Sequence, residues 1–159
     1  MKIIEKINDK SRDIFNKKQP VIAFTGDSVT QGCFELYVKE KGAIETVFDW
    51  KEAYSNKVKT ILSMLYPSSN ITIVNAGLSG TKADIGYDRL AEDVLAYKPD
   101  LTVVCYGLND ALRRETWTEQ YTDSLRNIFR DLKAEGNNFV NDSGRKSGDL
   151  ILDMYVYDE

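Results

Sequence analysis

Three short polar runs in this 159-residue chain carry residue types that together perform acyl-transfer chemistry. They are Gly26-Asp27-Ser28-Val29-Thr30-Gln31-Gly32, Asn75-Ala76-Gly77-Leu78-Ser79-Gly80 and Gly107-Leu108-Asn109-Asp110. A serine beside a turn glycine can expose its hydroxyl as a nucleophile. If Ser28 also opens a short helix, it meets the positive end of the helix dipole, which favours developing negative charge. Gly80 can offer an unobstructed backbone N–H to an oxyanion, and Asn109 a carboxamide N–H. Each such donor is worth roughly 3–4 kcal/mol in a transition state. Each residue also has a plainer reading. Asp and Ser are common helix N-caps, and Gly and Asn are common turn formers. Gly77 reads as a turn former and Asp110 as a loop cap or structural carboxylate. Their order and placement count for more than any one of them, because each run follows a short apolar strand.

The elements that must position these runs are legible from periodicity. Ile3, Ile4, Ile7, Ile14 and Phe15 form one stripe of a helix over 2–18, which Pro20 stops. A strand follows over 21–25. Residues 34–48 read as a loop with one short helical turn, in which Phe34 and Leu36, like Leu112 further on, read equally as mouth or packing residues. Trp50, Ala53, Tyr54, Val58, Ile61, Leu62 and Leu65 mark a helix ending before Pro67. Strand 71–74, a helix over 84–97, strand 101–105 and a helix over 118–135 complete the series. Thr116 with Glu119 reads as a capping box for that last helix, and Gly136 as its stop. Its buried stripe is Tyr121, Leu125, Ile128, Phe129 and Leu132. Continuous apolar strands alternating with helices predict a parallel sheet with right-handed crossovers. Ligands of such sheets sit beyond the carboxyl ends of the strands, where all three polar runs fall.

Those runs resemble the first three sequence blocks of the SGNH/GDSL hydrolases, a family of esterases, lipases, thioesterases and carbohydrate deacetylases. The resemblance covers roughly residues 20–135. It implies a three-layer α/β/α flavodoxin-like fold, here incomplete on its C-terminal side. By position it makes Ser28 the nucleophile, with its own N–H in the oxyanion hole, and Gly80 and Asn109 the other two oxyanion donors. The implied substrate is a small acyl ester or acetylated carbohydrate, with no cofactor and no metal.

The base is missing. The chain has no histidine, and the family's closing Asp-x-x-His block has no counterpart. In Asp153-Met154-Tyr155-Val156 a valine stands where the histidine would fall. Removing the histidine from a comparable triad costs on the order of 10⁶ in kcat, and Asp27 lies too close in sequence to Ser28 to replace it. After Gly136 the chain also departs from the α/β rhythm, with a polar, turn-rich loop from Asn137 to Asp149 and a strand-like tail over 150–157. The domain therefore reads as 1–136, followed by 137–159 as an atypical tail. Two readings compete: an ester hydrolase truncated or disrupted before its last block, and a non-catalytic binding module that keeps the pocket for an acyl or carbohydrate ligand. A nucleotide-binding domain ranks last, because no glycine-rich phosphate loop is present.

Composition narrows the setting. A net charge of -4 offers no attraction to nucleic acid or an anionic membrane, and no run is long enough to span a bilayer. Cys33 and Cys105 are too few for a disulfide framework. Together with the lack of a signal peptide they point to the cytoplasm. Cys105 reads as a small core residue. Missing strands would leave a sheet edge exposed, which predicts self-association through that edge.

Overall fold

Asp100 joins three elements at the amino ends of the strands in a computed structural model of the chain. Its carboxylate accepts the Val21 N–H at 2.9 Å and pairs with Lys6. The structure describes residues 2–112, 117–136, 138–141, 145–146, 149–150 and 155–156. In chain order the elements are α1 (Lys2–Arg12), β1 (Val21–Gly26), α2 (Ser28–Gln31), β2 (Cys33–Val38), β3 (Ile44–Phe48), α3 (Tyr54–Leu65), β4 (Thr72–Asn75), α4 (Ala83–Asp88), α5 (Leu90–Asp93), β5 (Leu101–Cys105), α6 (Trp117–Ala134), β6 (Asn138–Asn141), β7 (Arg145–Lys146), β8 (Asp149–Leu150) and β9 (Tyr155–Val156).

The main sheet has the order β4-β1-β5-β6-β9, with β9 antiparallel and the other four parallel. Counting only the parallel strands in chain order gives 2-1-3-4, the flavodoxin-like arrangement, whose switch point lies between β1 and β5. The fifth position is held by two antiparallel residues, so the sheet is incomplete on its C-terminal side.

Strand alternation sends side chains to two helix layers. Ile22 and Phe24 of β1 face α1 and α3, packing with Ile3, Ile7, Ile71, Val58 and Leu62. The Phe24 and Tyr54 rings meet edge to face at 5.4 Å. On the other side Ala23 and Val104 pack against Leu90, Val94, Leu125, Ile128 and Leu132 from α5, its flank and α6. Beneath the carboxyl edge Tyr106 is buried against Gly86, where an added Cβ would sit 2.3 Å from the ring. Its hydroxyl shares a 2.8 Å hydrogen bond with Thr25 Oγ1. Burial pushes the Tyr106 phenol above its ordinary range, and the Thr25 bond offsets part of that.

Several expectations need correction. The first helix stops at Arg12, because Asp13 turns its carboxylate to the Asn16 N–H at 3.0 Å and competes with the helical ladder. Ile14 and Phe15 therefore leave the buried stripe, and Phe15 is 89% exposed. Residues 34–48 form the antiparallel β2–β3 hairpin rather than a loop, and Phe34, Leu36 and Leu112 are exposed, not packed. The helix over 84–97 is broken into α4, α5 and a 3-10 turn. Residues 138–141, expected as polar loop, form β6, because the open edge of β5 supplies the hydrogen-bond partners. β9 in turn pairs with two residues of β6, Val140 and Asn141. The tail does form strand, as β8 and β9, in two-residue pieces. Thr116 of the expected capping box lies outside the described residues. Among the described residues no helix is long and apolar enough to cross a membrane.

Two predictions follow from this packing. Ile7→Ala removes a fully buried side chain and should cost about 2–5 kcal/mol in urea unfolding, whereas Phe15→Ala should stay within about 0.5 kcal/mol. Equal losses would place Phe15 back on a buried stripe. The raised Tyr106 pKa makes the folded state hold its proton more tightly than the unfolded chain. Its contribution is complete below about pH 10 and is lost as pH rises beyond it. Tyr106→Phe should flatten that alkaline loss, while costing about 1–3 kcal/mol at neutral pH by orphaning the Thr25 hydroxyl. An unchanged alkaline profile would refute the assignment.

Candidate active site

The three polar runs meet at the carboxyl edge of β4, β1 and β5. The meeting depends on backbone approaching backbone. A Cβ on Gly26 would lie 2.1 Å from Thr30 Oγ1 and 2.4 Å from the Cys105 carbonyl, so only glycine lets β1 turn into α2 beside β5. Asp27 then caps α2, its Oδ1 accepting the Val29 N–H at 3.0 Å. The helix is a single turn, closed by Gly32 at φ 108°. So short a helix has little dipole, and its exposed N–H groups carry what anion preference exists.

The β4 loop is tied to α2 at several points. Leu78 N–H donates to the Gly26 carbonyl at 3.0 Å, and Ser79 N–H to Gln31 Oε1 at 2.7 Å. Asn75 Nδ2 donates to the Thr30 carbonyl at 2.8 Å and to Ser55 Oγ at 3.1 Å, while its Oδ1 accepts the Gly77 N–H. Gly77 is glycine for want of room, since its Cβ would stand 2.3 Å from the Gln31 nitrogen. As the turn former expected, it closes an Asx-turn through its N–H to Asn75 Oδ1 at 3.0 Å. Gly80 is the reverse case. Its φ of 76° requires glycine, and nothing lies within 4 Å of where a Cβ would be.

The β5 loop closes the group. Asn109 Nδ2 donates to the Thr81 carbonyl at 3.0 Å and lies 3.5 Å from Asp27 Oδ2. Asp27, buried beneath Ser28, thus sits between the serine turn and the asparagine loop. Asp110 is a structural carboxylate, as expected, its Oδ1 accepting the Ala83 N–H at the start of α4 at 3.1 Å. Thr81 Oγ1 donates to the Leu78 carbonyl at 2.6 Å, closing a turn within the second loop.

The structure therefore brings Ser28, Gly80 and Asn109 to one edge. Among the described residues neither the Ser28 N–H nor the Gly80 N–H has a hydrogen-bond acceptor, and the Ser28 hydroxyl has no partner. The Asn109 amide is engaged by the Thr81 carbonyl and, at longer range, by Asp27. Among the described residues no base contacts the Ser28 hydroxyl. Asp27, Gln31, Asn75 and Thr81 hold the site together and were given no such part in the sequence reading. The signal for Asp27, Gln31 and Asn75 was membership of the same runs, and for Thr81 its place directly after Gly80. Cys33 and Cys105 form no disulfide, and both are half-buried.

Comparison with known proteins agrees with this geometry. The family model for the GDSL-like lipase/acylhydrolase family matches residues 24–149. An acetylxylan esterase of Geobacillus stearothermophilus is 29% identical over 121 residues, covering 70% of this chain, and the chain spans about half (53%) of that esterase's length. A catalytic mutant of an acetylxylan esterase from the same organism, with a histidine replaced by alanine, superposes with a TM-score of 0.59 at 26% identity, covering 77% of this chain and 58% of the other. A two-domain esterase active on acetylated mannans shares the fold, with a TM-score of 0.63 at 21% identity, covering 87% of this chain and 33% of the other. By its matched residues, its sheet order and its three edge loops, the chain belongs to the GDSL-like lipase/acylhydrolase family.

Proposed function

We propose that this chain carries the nucleophile and oxyanion donors of an acyl-ester hydrolase whose substrates are acetylated carbohydrates. One observation carries the reading: among the described residues the Ser28 and Gly80 N–H groups lack acceptors, while the Asn109 loop is hydrogen-bonded to both neighbouring loops. Ser28 Oγ attacks the acyl carbonyl carbon, and the carbonyl π pair moves onto oxygen. The N–H groups of Ser28 and Gly80 and the Asn109 amide bind that oxyanion. Collapse expels the sugar oxygen, which leaves with a proton, and water then attacks the acyl-serine. The substrate class rests on the names of the relatives, which act on acetylated xylan and mannan.

The serine proton needs an acceptor that none of the described residues provides. The chain has no histidine, and both Asp27 oxygens already face protein N–H groups. The acceptor in this reading is a base from solvent or another chain, and the unaided rate is low. The uncoupled Ser28 hydroxyl also favours a second reading, a binding module that holds an acetylated sugar without cleaving it.

Hydrolysis of p-nitrophenyl acetate, with Ser28→Ala as the blank, separates the two. The Ser28-dependent rate should be small, should rise linearly with added imidazole, and should fall about 10²–10³-fold in Asn109→Ala. No Ser28-dependent rate at any imidazole concentration would end the hydrolase reading for this chain. An upward shift of the thermal midpoint with acetylated xylo-oligosaccharide would then support the binding module.

A further inference from the structure

Asn109 stands in a loop whose backbone is already fixed. The Ala111 N–H donates to the Gly107 carbonyl at 3.0 Å, closing the turn around it, and Asp110 ties the loop to the start of α4. What remains is the rotation of the carboxamide, a soft torsion whose setting is decided by the groups it meets. The two ends of that carboxamide are nearly equal in size and opposite in chemistry: the nitrogen donates and the oxygen accepts. Only the nitrogen end can stabilise an oxyanion.

Two acceptors meet that nitrogen. The Thr81 carbonyl takes an ordinary hydrogen bond at 3.0 Å, and Asp27 Oδ2 lies at 3.5 Å, a long contact. Asp27 is buried in the same turn as Ser28, and its Oδ1 accepts the Val29 N–H at 3.0 Å. A carboxylate accepts on both oxygens, so one side chain caps α2 and faces the Asn109 nitrogen at once. Were the carboxamide turned over, its oxygen would face a carbonyl and a carboxylate, two acceptors with no proton between them.

We propose that Asp27 is a positioning residue for the oxyanion site: its carboxylate keeps the nitrogen end of Asn109 toward the serine turn, while its other oxygen holds that turn by its cap. The inference rests on the hydrolase reading above and adds to it the residue that orients the side-chain donor. The length of the contact suits the role. A proton held at long range is directed but weakly bound, and an oxyanion can share it while the Thr81 bond stays as the pivot. The charge also has an opposing effect, since a carboxylate repels an oxyanion. Orientation and repulsion give opposite signs when the charge is removed, which makes the role measurable.

Asp27→Asn tests it in a double-mutant cycle with Asn109→Ala. Asn caps helices as well as Asp does, so its single acceptor stays with Val29 and its NH2 faces the NH2 of Asn109. In imidazole-assisted hydrolysis of p-nitrophenyl acetate, Asp27→Asn should lower the Ser28-dependent kcat about 10–100-fold with KM unchanged. In the Asn109→Ala background the same change should lower it no further. Should Asp27→Asn fail to fold, Asp27→Ser keeps a capping oxygen and enters the same cycle. Equal losses in both backgrounds, a change in KM alone, or a kcat that holds or rises would overturn the proposal. A wild type without any Ser28-dependent rate would end the hydrolase reading, and the orientation of Asn109 is then read by nuclear magnetic resonance. The Asn109 side-chain proton pair is identified by its loss in Asn109→Ala. Asp27→Asn should move the proton that faces Asp27 and leave the one on the Thr81 carbonyl. A pair that stays, or whose two protons move together, would overturn the orientation itself.

Discussion

The site rests on a place where backbone meets backbone with no side chain between. Gly26 brings the end of β1 against Thr30 and the Cys105 carbonyl, and Gly77 brings the β4 loop against the Gln31 nitrogen. A methyl group at either position would enter space that backbone or a buried β-branched side chain already fills, and neither can yield cheaply. The single turn of α2 is therefore seated from two sides before any side chain acts. A four-residue helix cannot hold its own geometry, so Ser28 owes its position to these neighbours. The hydrogen bonds of Gln31 and Asn75 to backbone on the opposite segment then fix the two loops in register.

Asp27 connects this scaffold to the chemistry. A buried carboxylate must be compensated, and it finds the Val29 N–H on one oxygen and the Asn109 amide on the other. The compensation ties the serine turn to the asparagine loop, because one carboxylate meets N–H groups of both. Stabilising charge and activating a nucleophile are separable demands. The first needs fixed dipoles; the second needs a proton acceptor at hydrogen-bond distance from Ser28 Oγ, and among the described residues none stands there.

Much of this was legible in the sequence, for reasons that differ by element. The cores of β1, β4 and β5 announce themselves as short apolar runs closed by glycine or asparagine. The α6 stripe of Tyr121, Leu125, Ile128, Phe129 and Leu132 has the full helical period and packs as read. The hairpin was missed because a bulge between Cys33 and Glu35 breaks its alternation and its turn, Lys39–Ala43, is charged rather than Asn-Gly. β6 was missed because what makes it a strand is the unpaired edge of β5, a tertiary fact that Asn138 and Asn141 do not signal. Gly77 was read as a turn former; its close approach to the Gln31 nitrogen is a tertiary fact that the run itself does not signal.

The sheet topology bears on the missing base. In a parallel sheet each strand delivers the loop that follows it to the same edge, which is how β1, β4 and β5 each contribute a polar run. A fifth parallel strand beyond β6 would deliver one more loop to that edge. Here the position is held by β9, which pairs antiparallel with β6 through Val156 opposite Val140. Its carboxyl end points to the opposite edge, away from Ser28. Restoring a histidine at Val156 by substitution alone would therefore put it on a strand running the wrong way. The chemistry needs the strand direction as well as the residue, and among the described residues no parallel strand beyond β6 brings a further loop to the edge where Ser28 sits.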